Sequence, residues 1–237
     1  MPADKPTQQA AHEERKSRPP YALSEEKKKD GFNAKYTGKC YCGNVTFEVD
    51  SDPLDATYCH CRTCQHLHGA PYQWAAILPK DALHIKTGYD DLHFYSPQHK
   101  KMEYVLPCKV SCGRCQSVIM DEGRNMALLM PTLIDGMGEE EPLKDNGPFR
   151  ATHHMFYKTA VERVEDHLPK FGGKKGEEPM NEAAEKMAKE VEQKKKEKEE
   201  KKEEEERQSK KQKTDDKKDE QNPGEIVSWH QKRKSSK

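Results

Sequence analysis

Seven cysteines in three short clusters constrain this chain more than any other feature. The clusters are Cys40-Tyr41-Cys42, Cys59-His60-Cys61-Arg62-Thr63-Cys64 and Cys112-Gly113-Arg114-Cys115; an eighth cysteine, Cys108, lies just upstream of the last. Residues i and i+2 of an extended chain point to the same side, so Cys-x-Cys brings two sulfurs to one ion without bending the backbone. Cys-x-x-Cys needs a tight turn to do the same. Zinc takes four such ligands tetrahedrally, at about 2.3 Å each. The clusters therefore predict a domain built around two zinc–thiolate sites. Cys40, Cys42, Cys112 and Cys115 together make a closed four-sulfur site, which is structural and whose binding energy is folding energy. Cys59, Cys61 and Cys64 supply three ligands, and three ligands with an exchangeable fourth position is the catalytic pattern. His60 or Cys108 could instead close this second site and make it purely structural. A lone cysteine is most often a small buried hydrophobe, and Cys108 is read that way. A disulfide framework is the competing use of eight cysteines. The tight clustering, and a segment 1–10 without the apolar core of a signal peptide, argue instead for a reducing compartment.

Charge is spread unevenly over the 237 residues, and this divides the chain. Residues 181–220 are mostly Lys and Glu and hold no aromatic residue. Such a segment cannot bury enough apolar surface to offset the entropy of ordering it. The reading is a polar, disordered arm over 1–30, one folded domain over 31–172, and a charged tail over 173–237 that is helical in part or disordered. In the middle region, residues 45–49 alternate apolar and polar as a half-buried strand does. Further strands are expected over 72–78, 83–86, 92–95, 102–106, 117–120, 126–130 and 154–157, separated by turns such as Asp52-Pro53 and Thr87-Gly88. Many short strands at this spacing predict an all-β sandwich, barrel or related fold. Residues 136–147 read as an exposed acidic loop. In the tail, Pro179 can open a helix with Ala183, Ala184, Met187, Ala188 and Val191 near one face. Glu–Lys pairs at i,i+4 then add about 0.2–0.5 kcal/mol each, and Asn222-Pro223-Gly224 would stop the helix.

Formal net charge is +0, so no global bias toward nucleic acid exists, and nucleic-acid binding is not expected. No apolar run approaches the roughly eighteen residues of a membrane span. The expected address is cytoplasmic, with Lys210-Lys211-Gln212-Lys213 and Lys232-Arg233-Lys234 as short basic patches of the kind used for nuclear import.

The cysteine motifs and their surroundings resemble the family of glutathione-dependent formaldehyde-activating enzymes, which also includes centromere protein V. The matching residues are Gly38-Lys39-Cys40-Tyr41-Cys42-Gly43 with 45–48, the cluster 59–64 with Gly69-Ala70, and Ser111-Cys112-Gly113-Arg114-Cys115. Thr132-Leu133-Ile134-Asp135, His154-Met155-Phe156 and Asp166-His167-Leu168-Pro169 follow in order, so the resemblance spans about 35–171. It implies a zinc-containing β-tent domain with two zinc ions per chain. One would be a structural zinc on Cys40, Cys42, Cys112 and Cys115. The second, on Cys59, Cys61 and Cys64, would be the place where the glutathione thiol and the aldehyde adduct are handled. It implies a carbon–sulfur lyase interconverting formaldehyde plus glutathione with S-hydroxymethylglutathione. The chain departs from the family pattern at Gln116 and Pro131, where glycine is usual, and lacks a tryptophan near Ala160-Val161.

Two function classes follow. In the first, the open three-cysteine site is a lyase site for a glutathione or other small-thiol adduct. In the second, the domain is a zinc-stabilised binding module whose charged tail docks to a nuclear or cytoskeletal protein partner. Of the remaining residues, His154 reads as a strand-end or surface histidine that could instead be a polar group near the second metal, His66 and His68 as residues of an exposed turn that could instead touch the open site, and Tyr72 and Trp74 as core.

Overall fold

The computed structural model describes residues 31–137 and 147–220, with side chains as far as 204. The arm 1–30, most of the acidic loop, the helix stop at Asn222 and the basic patch at Lys232 lie outside these residues, and the side chains of the patch at Lys210 do too. The strands are β1 (Tyr36–Lys39), β2 (Thr46–Val49), β3 (Asp55–Cys59), β4 (Gln73–Pro79), β5 (Leu83–Thr87), β6 (Leu92–Tyr95), β7 (Cys108–Cys112), β8 (Val118–Glu122), β9 (Met126–Leu129) and β10 (His153–Met155). The two α-helices among the described residues are α1 (Arg62–His68) and α2 (Glu182–Glu220). The chain divides into two units, Met1–Met187 and Ala188–Lys237.

In the first unit, β1-β2-β5 form a three-stranded sheet. A seven-stranded sheet runs β10-β3-β4-β9-β8-β7-β6. All pairings are antiparallel except β10 with β3. The alternation expected at 45–49 is present: Phe47 and Val49 are buried while Thr46 and Glu48 are half-buried. Phe47, Val49, Leu83 and Ile85 of the small sheet share one apolar core with Ala56, Ala76, Leu78, Val110, Met120 and Leu129 of the large one. Burying a Leu, Ile or Phe side chain contributes about 1.5–3 kcal/mol, so this shared core holds the two sheets together. Cys108 sits in it at 2% exposure, and burial followed by the nearby Glu122 carboxylate pushes its thiol up to about 12.

Three strands, β1, β3 and β7, are not among those expected from the sequence, and all three carry cysteines or lie beside them. The expected strand at 102–106 is absent. There the backbone folds on itself, with Val105 N–H donating to Glu103 C=O at 2.9 Å. Tyr104 leaves the surface to donate to the buried Glu122 carboxylate at 2.6 Å. The expected strand at 154–157 is displaced: β10 covers His153–Met155, and Phe156 turns left-handed at φ 56 into a 3-10 turn.

Helix α2 opens on Asn181, whose Oδ1 accepts from the Ala184 N–H at 2.9 Å, a side-chain cap of the kind that is worth about 1 kcal/mol. Pro179 lies before this cap and forms a bridge with Phe171. Ala184 is fully buried, whereas every side chain over 192–204 is exposed, with the i,i+4 pair Glu192–Lys196 at 2.8 Å. Among the described residues, no helix is long and apolar enough to cross a membrane.

Candidate metal and substrate centre

The turn between β1 and β2 carries Cys40 and Cys42; the end of β7 and the turn into β8 carry Cys112 and Cys115. The four sulfurs all lie within 4.8 Å of one another. Cys40 and Cys42 are 3.6 Å apart, and Cys42 and Cys112 are 3.8 Å apart. A tetrahedron with metal–sulfur bonds of about 2.3 Å has edges of about 3.8 Å, so this group could hold a metal ion as it stands. The local backbone explains the convergence. Gly43 turns left-handed at φ 74, and its N–H bonds to Cys40 C=O at 2.9 Å. Gln116 takes the same region at φ 62, although it is not glycine. That conformation costs about 1–2 kcal/mol for a residue with a Cβ. It is offset by Gln116 Nε2 donating to Gly113 C=O at 2.8 Å, while Gln116 N–H closes the turn on Cys112 C=O at 2.8 Å. The departure from glycine therefore leaves the turn intact. Pro131 is likewise accommodated, as the first residue of the 3-10 turn Pro131–Leu133, where its fixed φ suits the start of a helical turn. The Ser117 hydroxyl, 3.2 Å from Cys115 Sγ, holds that thiol down to about 5.

The second group comprises Cys59 at the end of β3, Cys61 as the cap of α1, and Cys64 in its first turn; the three sulfurs again lie within 4.8 Å of one another. Cys64 N–H donates to Cys61 Sγ at 3.4 Å. The thiols share protons unequally: hydrogen bonds from Cys59 and Cys64 hold Cys61 far below the usual thiol range, and the other two are pushed up. This group could also hold a metal ion. Neither alternative ligand weighed from the sequence belongs to it. Cys108 is in the core, and His60, between two cysteines on an extended stretch, points the opposite way.

On that opposite side His60 is fully buried. Its Nε2 lies 2.8 Å from His154 Nδ1, and His154 Nε2 lies 2.8 Å from Asp166 Oδ2. Tyr72 and Tyr157 pack on the His60 ring at centroid distances of 5.0 and 4.9 Å. Burial, then His154, pushes His60 down to about 4. His154 is thus an internal residue and not the strand-end or surface histidine expected from the sequence: it pairs with a buried partner 94 positions away, which no local pattern reveals.

On the thiolate side lie residues that the sequence reading did not find. Gln73 is the cross-strand partner of Cys59. Lys109, only 8% exposed, donates to Gln73 Oε1 at 3.1 Å, to Asp121 Oδ2 at 2.8 Å and to His68 Nε2 at 2.7 Å. A lysine beside the buried Cys108 and Val110 was the available signal, since charged residues are rarely buried without a partner. His66 is exposed but lies on α1 and not on a turn; His68, on the same helix, is half-buried.

The model of the family "Glutathione-dependent formaldehyde-activating enzyme" matches residues 35–158, just over half of the chain. No curated protein matches. Among solved structures, a crystal structure of a Rhodobacter sphaeroides protein is similar at 19% identity, over 46% of this chain and 95% of that one, with a TM-score of 0.37.

Proposed function

Because the chain belongs to the glutathione-dependent formaldehyde-activating enzyme family, we propose that it is a zinc-dependent carbon–sulfur lyase acting on the adduct of an aldehyde with glutathione or a related small thiol. The observation that carries this reading is the contrast between the two cysteine groups: four sulfurs converge in one and three in the other. Cys40, Cys42, Cys112 and Cys115 would hold a structural zinc, and Cys59, Cys61 and Cys64 a second zinc with a position left for the substrate sulfur. The second ion would supply Lewis acidity, lowering the pKa of a bound thiol so that it is present as thiolate at neutral pH.

The chain's own residues do the rest. The α1 cap holds Cys61 and Cys64 as one rigid pair, and the β3–β4 register fixes Cys59 beside Gln73. Three thiolates around a doubly charged ion leave one negative charge, and a fourth sulfur adds another. The buried ammonium of Lys109, bonded to Gln73 beside Cys59, would offset part of that charge.

The test is zinc content per chain in wild type and in the C59S/C61S/C64S variant, with and without glutathione, alongside turnover of S-hydroxymethylglutathione. The expected result is about two zinc ions falling to one in a variant that stays folded, with glutathione perturbing only the second ion. A fully loaded wild type that accelerates no thiol–aldehyde adduct reaction overturns the reading.

A further inference from the structure

Lys109 is the second residue of β7, and a buried ammonium is tolerated only when its protons are taken up. Asp121, its cross-strand partner on β8, neutralises it, and Gln73 accepts a second hydrogen bond. Gln73 Nε2 in turn donates to Asp121 Oδ2 at 2.9 Å, so lysine, carboxylate and amide form a closed set. The third proton is taken by His68 Nε2 at 2.7 Å. An ammonium can only donate. Nε2 must then be the bare nitrogen of the His68 ring, and the neutral ring carries its proton on Nδ1. Lys109 thus sets the tautomer of His68.

His68 also has a defined place relative to the cysteines. It lies four residues after Cys64, on the same face of α1. Gln73, which accepts from Lys109, pairs with Cys59 across β3 and β4. The cluster therefore borders the three-sulfur site. A thiol–aldehyde adduct has two polar atoms on its reacting carbon, sulfur and oxygen. The cysteine site provides for the sulfur. Its thiolates are acceptors and would repel an oxygen that gains negative charge, so the oxygen needs a donor from elsewhere.

We propose that His68, locked by Lys109 with Nδ1 protonated, donates a hydrogen bond to the oxygen of the adduct, and that Lys109, Gln73 and Asp121 are its positioning residues. This role rests on the lyase reading above. As the C–S bond forms, the sulfur lone pair attacks the carbonyl carbon and the C=O π pair moves onto oxygen, where Nδ1–H meets the new charge. Water then protonates the oxygen, matching the proton that the thiol released to water on ionising. Cleavage is the reverse sequence. Preorganised donors of this kind act on charge that develops in the transition state.

Two measurements decide it. Nitrogen-15 NMR of the imidazoles in the zinc-loaded protein reads the tautomer without turnover. The expected result is Nδ1–H at His68 in wild type, with that preference lost in Lys109→Met; a wild-type ring protonated on Nε2 overturns the proposal. Steady-state kinetics with glutathione and formaldehyde then compare His68→Phe and His68→Asn. The first should lose about 10²–10³-fold in kcat with KM for glutathione and zinc content unchanged. The second, whose amide N–H can stand in for Nδ1–H, should recover part of the loss. A His68→Phe protein as active as wild type, or one that loses zinc and glutathione affinity together, overturns the role of His68 and leaves the lyase reading standing. A zinc-loaded wild type without turnover overturns the lyase reading itself, and this role with it.

Discussion

Lys80→Met should make the stability of the domain steeply pH-dependent, through Glu122. The Glu122 side chain is fully buried, and it is held by Lys80 Nζ at 2.5 Å and by the Tyr104 hydroxyl at 2.6 Å. Even so, burial outweighs both partners and keeps its carboxyl above the usual range. Methionine in place of Lys80 preserves most of the apolar stem and removes one of the two groups that favour the charged form. The carboxyl can then escape burial as an anion only by taking a proton. Holding a proton at pH 7 on a group whose ordinary value is 4.5 costs at most about 3.4 kcal/mol, at about 1.4 kcal/mol per pH unit. That ceiling is a large part of the roughly 5–15 kcal/mol available to a domain. The sign follows from linkage: a carboxyl with a raised folded value contributes stability that is fully present below 4.5 and is lost as pH rises through the folded value. Urea unfolding at pH 5, 6 and 7 should show a Lys80→Met deficit that grows with pH. The deficit should become pH-independent in Lys80→Met/Glu122→Gln. A deficit of constant size across this range, or one that Glu122→Gln fails to relieve, refutes the reasoning.

Other outcomes follow from single sites. His153 is 1% exposed, and burial holds it down to about 4, so the fold keeps it neutral. Its contribution, up to about 3 kcal/mol, is present above 6.5 and lost as pH falls toward 4; wild type should therefore lose more stability over that window than His153→Gln, measured by thermal melting. A Cβ on Gly38 would lie 2.3 Å from Phe47 Cζ and 2.5 Å from Leu133 C=O. Gly38→Ala should thus cost about 1–3 kcal/mol in urea midpoint, and a neutral effect would show that β1 can shift away. Cys112→Ser should unfold the domain cooperatively, because structural zinc binding is worth about 10–16 kcal/mol. Cys61→Ser should lose one ion and keep its near-ultraviolet circular dichroism; equal unfolding of both variants would contradict the division of labour between the sites.

The sequence shows some of this structure and hides the rest for physical reasons. β2 follows from alternation, and β4, β5, β6, β8 and β9 follow from short runs set off by turn residues. β1, β3 and β7 escape that reading: β3 and β7 are short segments ending on cysteines of the two groups, and β1 is four residues long with Gly38 against Phe47. Each cysteine cluster is legible because its spacing is a short-range property, and the pairing of Cys40 and Cys42 with Cys112 and Cys115 follows from counting four sulfurs to one site. The Lys109–Asp121–Gln73–His68 cluster is not, because it depends on which strands become neighbours, and Gln73 and Asp121 are 48 positions apart. The charged run over 181–220 leaves a part-helical and a disordered tail equally open; the cap that starts the helix comes from Asn181 and not from Pro179.

The two cysteine groups also differ in when they can exist. Cys59, Cys61 and Cys64 fall within six consecutive residues, so their ligand set is complete almost as soon as it is synthesised. Cys42 must wait for Cys112, 70 residues later, which at 5–20 residues per second is roughly 4–14 s on the ribosome. During that interval the first pair of thiols leaves the ribosome with no partner pair to close its site. The local group can capture an ion first, and the one that spans the two sheets closes last, fastening a domain whose strands have already emerged as far as β7.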